Sequence, residues 1–156
     1  MNRSVLIKSN NMQALLVTIF SSLLLSTGWE TDFNKAKQSA QSEHKLILIN
    51  FSGSDWCGPC IRMRKEIFEN SSFTRYAGEH LVLVNADFPR LKKHELSREQ
   101  QKKNDQLADK YDKEGIFPLT VLVNAEGRVL KEWKGFPPVS ADEFASEVKA
   151  VVDANK

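Results

Sequence analysis

The sequence predicts an α/β fold, a central mixed sheet with helices on both faces. Three observations carry that expectation. Short apolar, β-branched runs alternate with segments of helical spacing along the chain. Near the C-terminus two strand-like runs flank Asn124-Ala125-Glu126-Gly127, a hairpin signal, so an antiparallel strand should join neighbours made parallel by crossovers. The 156 residues, 41% hydrophobic and 27% charged, suit one domain able to bury a core.

In chain order, Trp29 to Ser42 is expected as a first helix, because Phe33, Ala36 and Ala40 fall at helical spacing and Asp32 can cap its start. Lys45 to Ser52 is apolar and β-branched and reads as the central strand. The turn Gly53-Ser54-Asp55 delivers the chain to Trp56. Cys57 to Asn70 should be helical, with Cys60, Ile61, Met63, Ile67 and Phe68 facing inward. Pro59 is tolerated there because the first helical turn has N–H groups without partners. Ser72 to Ala77 is expected as a short helix with Phe73 and Tyr76 packing back, and Leu81 to Val84 as a second buried strand ended by Asp87-Phe88-Pro89.

Arg90 to Glu114 is dense in charge. Asn104 to Asp112 has a usable apolar face, whereas Ser97 to Lys103 has none and should be a solvated helix or loop. The whole segment reads as a solvated face, with partner docking as the alternative because it is long for a connection. Leu119 to Val123 and Arg128 to Trp133 make the hairpin. Ser140 to Val152 closes the chain as a helix whose Ser140 and Glu143 have capping-box spacing. Trp29, Trp133 and Phe136 read as packing residues. The sequence contains no internal repeat.

The first 28 residues have a different character. Arg3 and Lys8 precede an apolar stretch, Ala14 to Leu25, followed by Ser26-Thr27-Gly28, the layout of a secretory signal peptide cleaved near Gly28. Residues 1–28 are therefore expected to be the signal and 29–156 the folded domain. The alternative is a retained membrane anchor, but the apolar run is shorter than the roughly 20 residues needed to cross a bilayer. No cysteine follows it, so a lipid anchor on cysteine is not available. The chain has 22 basic and 20 acidic residues, and Arg3 and Lys8 account for the difference. The mature domain is about neutral, which argues against nucleic acid as a partner.

Both cysteines lie in Trp56-Cys57-Gly58-Pro59-Cys60, at the junction between the central strand and the next helix. Backbone N–H groups and the helix dipole favour a thiolate at that place, which makes thiol–disulfide exchange the leading function. A purely structural bridge is the alternative in an oxidising compartment, yet closing so short a loop removes little chain entropy. Cys57 is the candidate nucleophile, with its sulfur accessible beside Trp56. Cys60, one turn further in and more buried, is the candidate resolving thiol, and Gly58 and Pro59 set the turn between them. Metal binding by the pair is the rival from another class. A closed zinc site needs about four ligands, and His44, His80 and His94 show no ligand spacing to Cys57 or to one another, so no metal is expected.

The motif Trp-Cys-Gly-Pro-Cys, with Phe117-Pro118 ahead of Leu119–Val123, resembles the thioredoxin superfamily. The wider pattern, Phe51 to Cys57 and Val84 to Pro89, is similar to a branch of exported bacterial thioredoxin-like proteins, and the likeness runs from Trp29 to the C-terminus. The resemblance implies a thioredoxin fold and a redox-active Cys57–Cys60 disulfide. It also implies a cis Pro118 whose loop, with Phe117, holds an extended substrate strand beside Trp56, Gly58 and Pro59. Without it, Phe117-Pro118 reads equally well as the start of a strand. Two departures stand out. The family's buried acid in the central strand is replaced by Asn50, and its lysine partner in the next strand by Leu83. Asn cannot take a proton from the inner thiol as a carboxylate does, and Asp55 is a weak candidate to substitute, being expected at the surface.

The function expected is an exported thiol–disulfide oxidoreductase that reduces or isomerises disulfides in other exported proteins. Gly-Pro between the cysteines resembles the reducing members. No diffusible cofactor is expected, because nothing in the sequence binds nicotinamide or flavin. Electrons would come from a partner dithiol reductase, a membrane reductase being one such partner. The alternatives are a dedicated reductase of haem-attachment cysteines and a non-catalytic thioredoxin-fold binding module using the Phe117-Pro118 groove.

Overall fold

The computed structural model describes residues 28–155, so the expected signal segment lies almost wholly outside the described residues. Five helices and four strands follow in the order α1 (Phe33–Glu43), β1 (Leu46–Ser52), α2 (Gly58–Arg62), α3 (Ser71–His80), β2 (Leu81–Asp87), α4 (Arg98–Tyr111), β3 (Leu119–Val123), β4 (Val129–Lys134) and α5 (Ala141–Asp153). Asp32 caps α1 by accepting the N–H groups of Asn34 and Lys35, and Ser140 and Glu143 close the capping box of α5.

The strand order is β2-β1-β3-β4. β1 and β2 are parallel, in register from Leu46 opposite Leu81 to Ser52 opposite Asp87. The expected parallel crossover holds there and fails at β3. After α4 the chain returns to the C-terminal end of β1, so that Leu119 enters opposite Phe51 and β3 runs antiparallel. β4 then pairs with β3 through the hairpin.

Alternate side chains of β1 feed two cores. Leu48 packs with Met63, Phe68, Phe73, Phe144 and Val148 on one face of the sheet. Ile47, Ile49 and Phe51 pack with Ala36, Ala40 and Leu107 on the other. This is the architecture implied by the resemblance, a mixed sheet with helices on both faces.

Three local expectations need correction. Trp29 to Thr31 is extended rather than helical: the Glu30 N–H donates to the Leu83 carbonyl at 2.8 Å and its carbonyl accepts from Asn85 at 2.9 Å, covering part of the outer edge of β2. β2 continues to Asp87, so Asn85 and Asp87 are strand residues. Ser97 to Lys103, expected as a solvated helix or loop, takes the helical form, because Ser97 accepts the Gln100 N–H and caps α4. The helix expected from Cys57 to Asn70 changes pitch: α2 passes into a wide turn, Met63–Phe68, where the Glu69 N–H reaches the Arg64 carbonyl at 2.8 Å. Among the described residues, no helix is long and apolar enough to cross a membrane.

Candidate active site

β1 is buried along nearly its whole length, and its C-terminal end delivers the chain to the cysteines. The turn that follows is closed by the Cys57 N–H on the Gly53 carbonyl at 2.9 Å. A Cβ at residue 53 would fall 2.3 Å from the Trp56 ring, so only glycine lets the indole lie over this turn. Sequence reasoning had taken Gly53 for an ordinary turn residue.

Cys57 and Cys60 are joined by a disulfide with an S–S distance of 2.02 Å. Cys57 is the N-cap of α2, and its Sγ accepts the Cys60 N–H at 3.2 Å. A sulfur that accepts an N–H carries negative charge more readily than one in an apolar surround. Cys57 is 5% exposed and Cys60 3%. The expected contrast between an open outer thiol and a sealed inner one is thus narrow in the bonded state, where both cysteines are buried and Gly58 and Pro59 between them are exposed.

Beside the pair stands an aromatic wall. Phe117 meets Trp56 edge-on at 5.4 Å and Phe88 at 5.5 Å between ring centroids, and the Trp56 Nε1–H donates to the Phe88 carbonyl at 2.7 Å. The Phe117-Pro118 bond is cis, and Pro118 is buried with its carbonyl accepting the Gly135 N–H at 2.8 Å. Of the five residues expected to meet substrate, the structure brings Trp56 and Phe117 into contact and leaves Gly58 and Pro59 exposed beside them.

Behind the disulfide is a cavity of about 200 Å³ whose lining includes Cys60, Asn50, Ser52, Trp29 and Asn85. Asn50 is 7% exposed, and its Nδ2 donates to the Asn85 Oδ1 at 3.0 Å. Its own Oδ1 is buried without a partner among the described residues. The side chain answering Asn50 from β2 is therefore Asn85, not Leu83, which packs against the apolar core on the same face. No carboxylate lines this cavity.

Asp55 does not substitute for the missing acid. Its carboxylate accepts the N–H groups of Arg90 at 2.9 Å and Leu91 at 3.0 Å and meets His94 Nδ1 at 3.0 Å. The Arg90 N–H above all, with the Leu91 N–H and the His94 ring, holds this carboxyl below its ordinary value of 3.8 against the opposing effect of burial. Asp87 is likewise committed, to the Ser54 N–H at 2.9 Å and the Ser54 hydroxyl. The Arg90 guanidinium lies 3.6 Å above the Trp56 ring. Asn85, Arg90 and His94 escaped sequence reasoning. Asn85 could have been found by aligning β2 on β1 in parallel; the charged run around Arg90 gave no sign of folding back.

The remaining histidines sit at element ends: His44 at the left-handed C-cap of α1, and His80 against Tyr76 at the end of α3. Trp133 is buried with its indole N–H on Glu147, and Trp29 packs on Phe68.

Comparison with known proteins gives consistent matches. The family model of the thioredoxin-like domain matches residues 33–151. A curated relative, the disulfide bond reductase DsbH of Chlamydia pneumoniae, is 39% identical over 124 residues, covering 80% of this chain and 72% of that one. A solved structure of a DsbH oxidoreductase superposes with a TM-score of 0.73 at 37% identity, covering 81% of this chain and 84% of that one. The thioredoxin-related protein DsbJ of the same organism is 26% identical over 127 residues, which is 81% of this chain but 36% of DsbJ.

Proposed function

The chain belongs to the thioredoxin-like family and is a protein-disulfide oxidoreductase, and we propose that it works as an exported reductase of disulfides in other exported proteins. The observation that carries this reading is the Cys57–Cys60 disulfide capping α2, with the Cys57 sulfur on a backbone N–H and the Trp56–Phe117 wall beside it. The name of the DsbH relative, a disulfide bond reductase, supports reduction over isomerisation as the main direction. Export rests on the signal-like layout of residues 1–28.

In the reduced protein, the Cys57 thiolate attacks one sulfur of a substrate disulfide. A mixed disulfide forms and the first substrate thiolate leaves. Cys60 then loses its proton and attacks the Cys57 Sγ, which releases the second substrate thiolate and leaves the Cys57–Cys60 bond. The cavity behind Cys60 holds no carboxylate to take that proton. The base is therefore the departing substrate thiolate or water. The cycle closes when an external dithiol, a partner reductase, reduces the bond and is itself oxidised. Phe117 and Pro118, with Trp56, Gly58 and Pro59, form the surface on which an extended substrate segment lies.

The test is reduction of insulin by dithiothreitol with and without the protein. Acceleration is expected, as is a Cys60→Ser variant that accumulates mixed disulfides on Cys57. No acceleration and an empty trap would sink the reading. Redox titration of the pair then assigns direction, since a potential near the thioredoxin range of roughly −270 mV marks a reductase.

A further inference from the structure

Between β2 and α4 the segment Arg90-Leu91-Lys92-Lys93 carries three cations in four residues on a domain that is about neutral as a whole. It is fastened to the two residues that precede Cys57. Asp55 takes the N–H groups of Arg90 and Leu91 and meets His94 at the end of the short turn, while Trp56 holds the Phe88 carbonyl and carries the Arg90 guanidinium on its ring. The backbone of the segment and the Arg90 guanidinium are thereby held beside the turn that leads into Cys57, with Lys92 and Lys93 following in the short turn.

Several exposed cations elsewhere on the surface are neutralised by an acidic neighbour: Arg62 with Glu66, Arg64 with Glu69, Lys103 with Glu99, Lys134 with Glu114. Arg90, Lys92 and Lys93 have no such partner among the described residues. The nearby carboxylates are turned inward, Asp55 with a side chain only 5% exposed and Asp87 on Ser54. Glu95 follows only after the turn is complete. Leu91, 47% exposed between the cations, adds an apolar contact to the same rim. Unpaired charge held in place beside a reactive centre acts on whatever approaches that centre.

We propose that this rim selects substrate polypeptides that carry acidic residues next to the disulfide to be reduced. The proposal rests on the reductase reading above and specifies the substrate class of the same site. Arg90 reaches substrate nearest Cys57, and Lys92 and Lys93 extend the contact outward along the chain.

The test uses three synthetic disulfide peptides of equal length whose cysteines are flanked by Glu, by Gln or by Lys, reduced by the whole protein with dithiothreitol as donor. At low ionic strength kcat/KM for the Glu peptide should exceed that for the Lys peptide by about tenfold, from two or three exposed charge contacts. The ratio should fall toward one near 1 M salt, where the screening length is about 3 Å. In a Lys92→Glu, Lys93→Glu variant the ratio should fall below one. Because the ratio is taken within one variant, loss of folded protein cancels. Turnover of all three peptides at equal rates, or a ratio unmoved by the double substitution, overturns the proposal and leaves the reductase reading standing. Failure to turn over even the Gln peptide overturns both.

Discussion

The two sides of the Cys57–Cys60 bond are built from opposite materials. On the inner side Cys60 faces a cavity lined by amides, hydroxyls, aromatic carbon and Arg64, with Asn50 and Asn85 bonded to each other and no carboxylate. On the outer side Cys57 follows a turn where Asp55, Trp56, Arg90, Lys92 and Lys93 bring charge to the rim. The contrast separates two tasks that a dithiol must perform. Attack on a substrate needs an ionised sulfur and a partner steered onto it, and the outer side supplies an N–H on Cys57 and fixed cations. Resolution needs the Cys60 proton to leave, and the inner side offers no ionisable acceptor, so that step depends on water or on the leaving thiolate.

The strongest way to break this division is to remove each sulfur in turn. Cys57→Ser should return insulin reduction to the uncatalysed baseline. Cys60→Ser should instead stall after the first step, with mixed disulfide accumulating at Cys57 and visible by mass spectrometry. If either substitution gave the phenotype assigned to the other, the inner and outer roles would be reversed.

The next largest effect should come from putting an acid on the inner side, which lacks one. Asn50→Asp places a carboxyl in the cavity with Cys60, where burial raises its pKa above the usual carboxylate range against the opposing pull of Arg64 on the cavity wall. Above that pKa it can accept the Cys60 proton, a contribution that elsewhere is worth ~10²–10⁴ in rate. The resolving step should therefore accelerate with pH along a new titration that the wild type lacks. The same group carries a stability cost of opposite pH dependence. Its folded pKa exceeds its unfolded value, so the folded state binds more protons between the two, and stability falls as pH rises through that window. Denaturant melts should show the variant close to wild type near pH 4 and about 1–3 kcal/mol weaker at pH 8. A rate profile identical to wild type would mean that resolution is not limited by proton loss.

The same contrast explains what could be read from the sequence. The apolar, β-branched run of β1, the capping box at Ser140 and Glu143, and the cysteines at the strand-to-helix junction are local patterns, and the structure bears them out. The departure at Asn50 was legible too, because it lies in a strand with fixed periodicity. Its partner was misplaced because the face on which Leu83 and Asn85 both lie is set by the sheet, and the choice between them depends on register. The antiparallel entry of β3 and the extended stretch at Trp29 depend on how long connections return, which no local spacing records. The outer rim was invisible for a related reason. Asp55 and Arg90 are 35 residues apart, and the bond between them forms only because β2 is parallel to β1 and delivers its following loop to the same end.

A smaller effect sharpens the outer side. Trp56→Phe keeps an aromatic face beneath Arg90 but deletes the Nε1–H that holds the Phe88 carbonyl at 2.7 Å. The loss should be about 0.5–1.5 kcal/mol in denaturant stability. Turnover of a neutral substrate should fall modestly through disturbance of the Phe117 contact, while the preference for acidic peptides persists. If Trp56→Phe abolished that preference, the indole N–H and not the guanidinium stack would be what places Arg90.

The smallest effect concerns pH. Asp55 has its pKa lowered from 3.8, first by the Arg90 N–H and then by the Leu91 N–H and His94, so its unfolded-state pKa is the higher of the two. Between those values the unfolded chain binds the proton that the folded loop excludes. The contribution of Asp55 is thus complete above about 3.8 and is lost as pH falls through the lower folded value. The amide resonances of Arg90 and Leu91 should move as pH falls below about 3.8, and in Asp55→Asn that acid-range movement should vanish. An acid-range movement unchanged by Asp55→Asn would mean that the carboxylate does not anchor the loop. Arg90, Lys92 and Lys93 keep their charge throughout, so the preference of the outer rim for acidic substrates does not depend on a new titration, whereas Asn50→Asp makes the inner side respond to one.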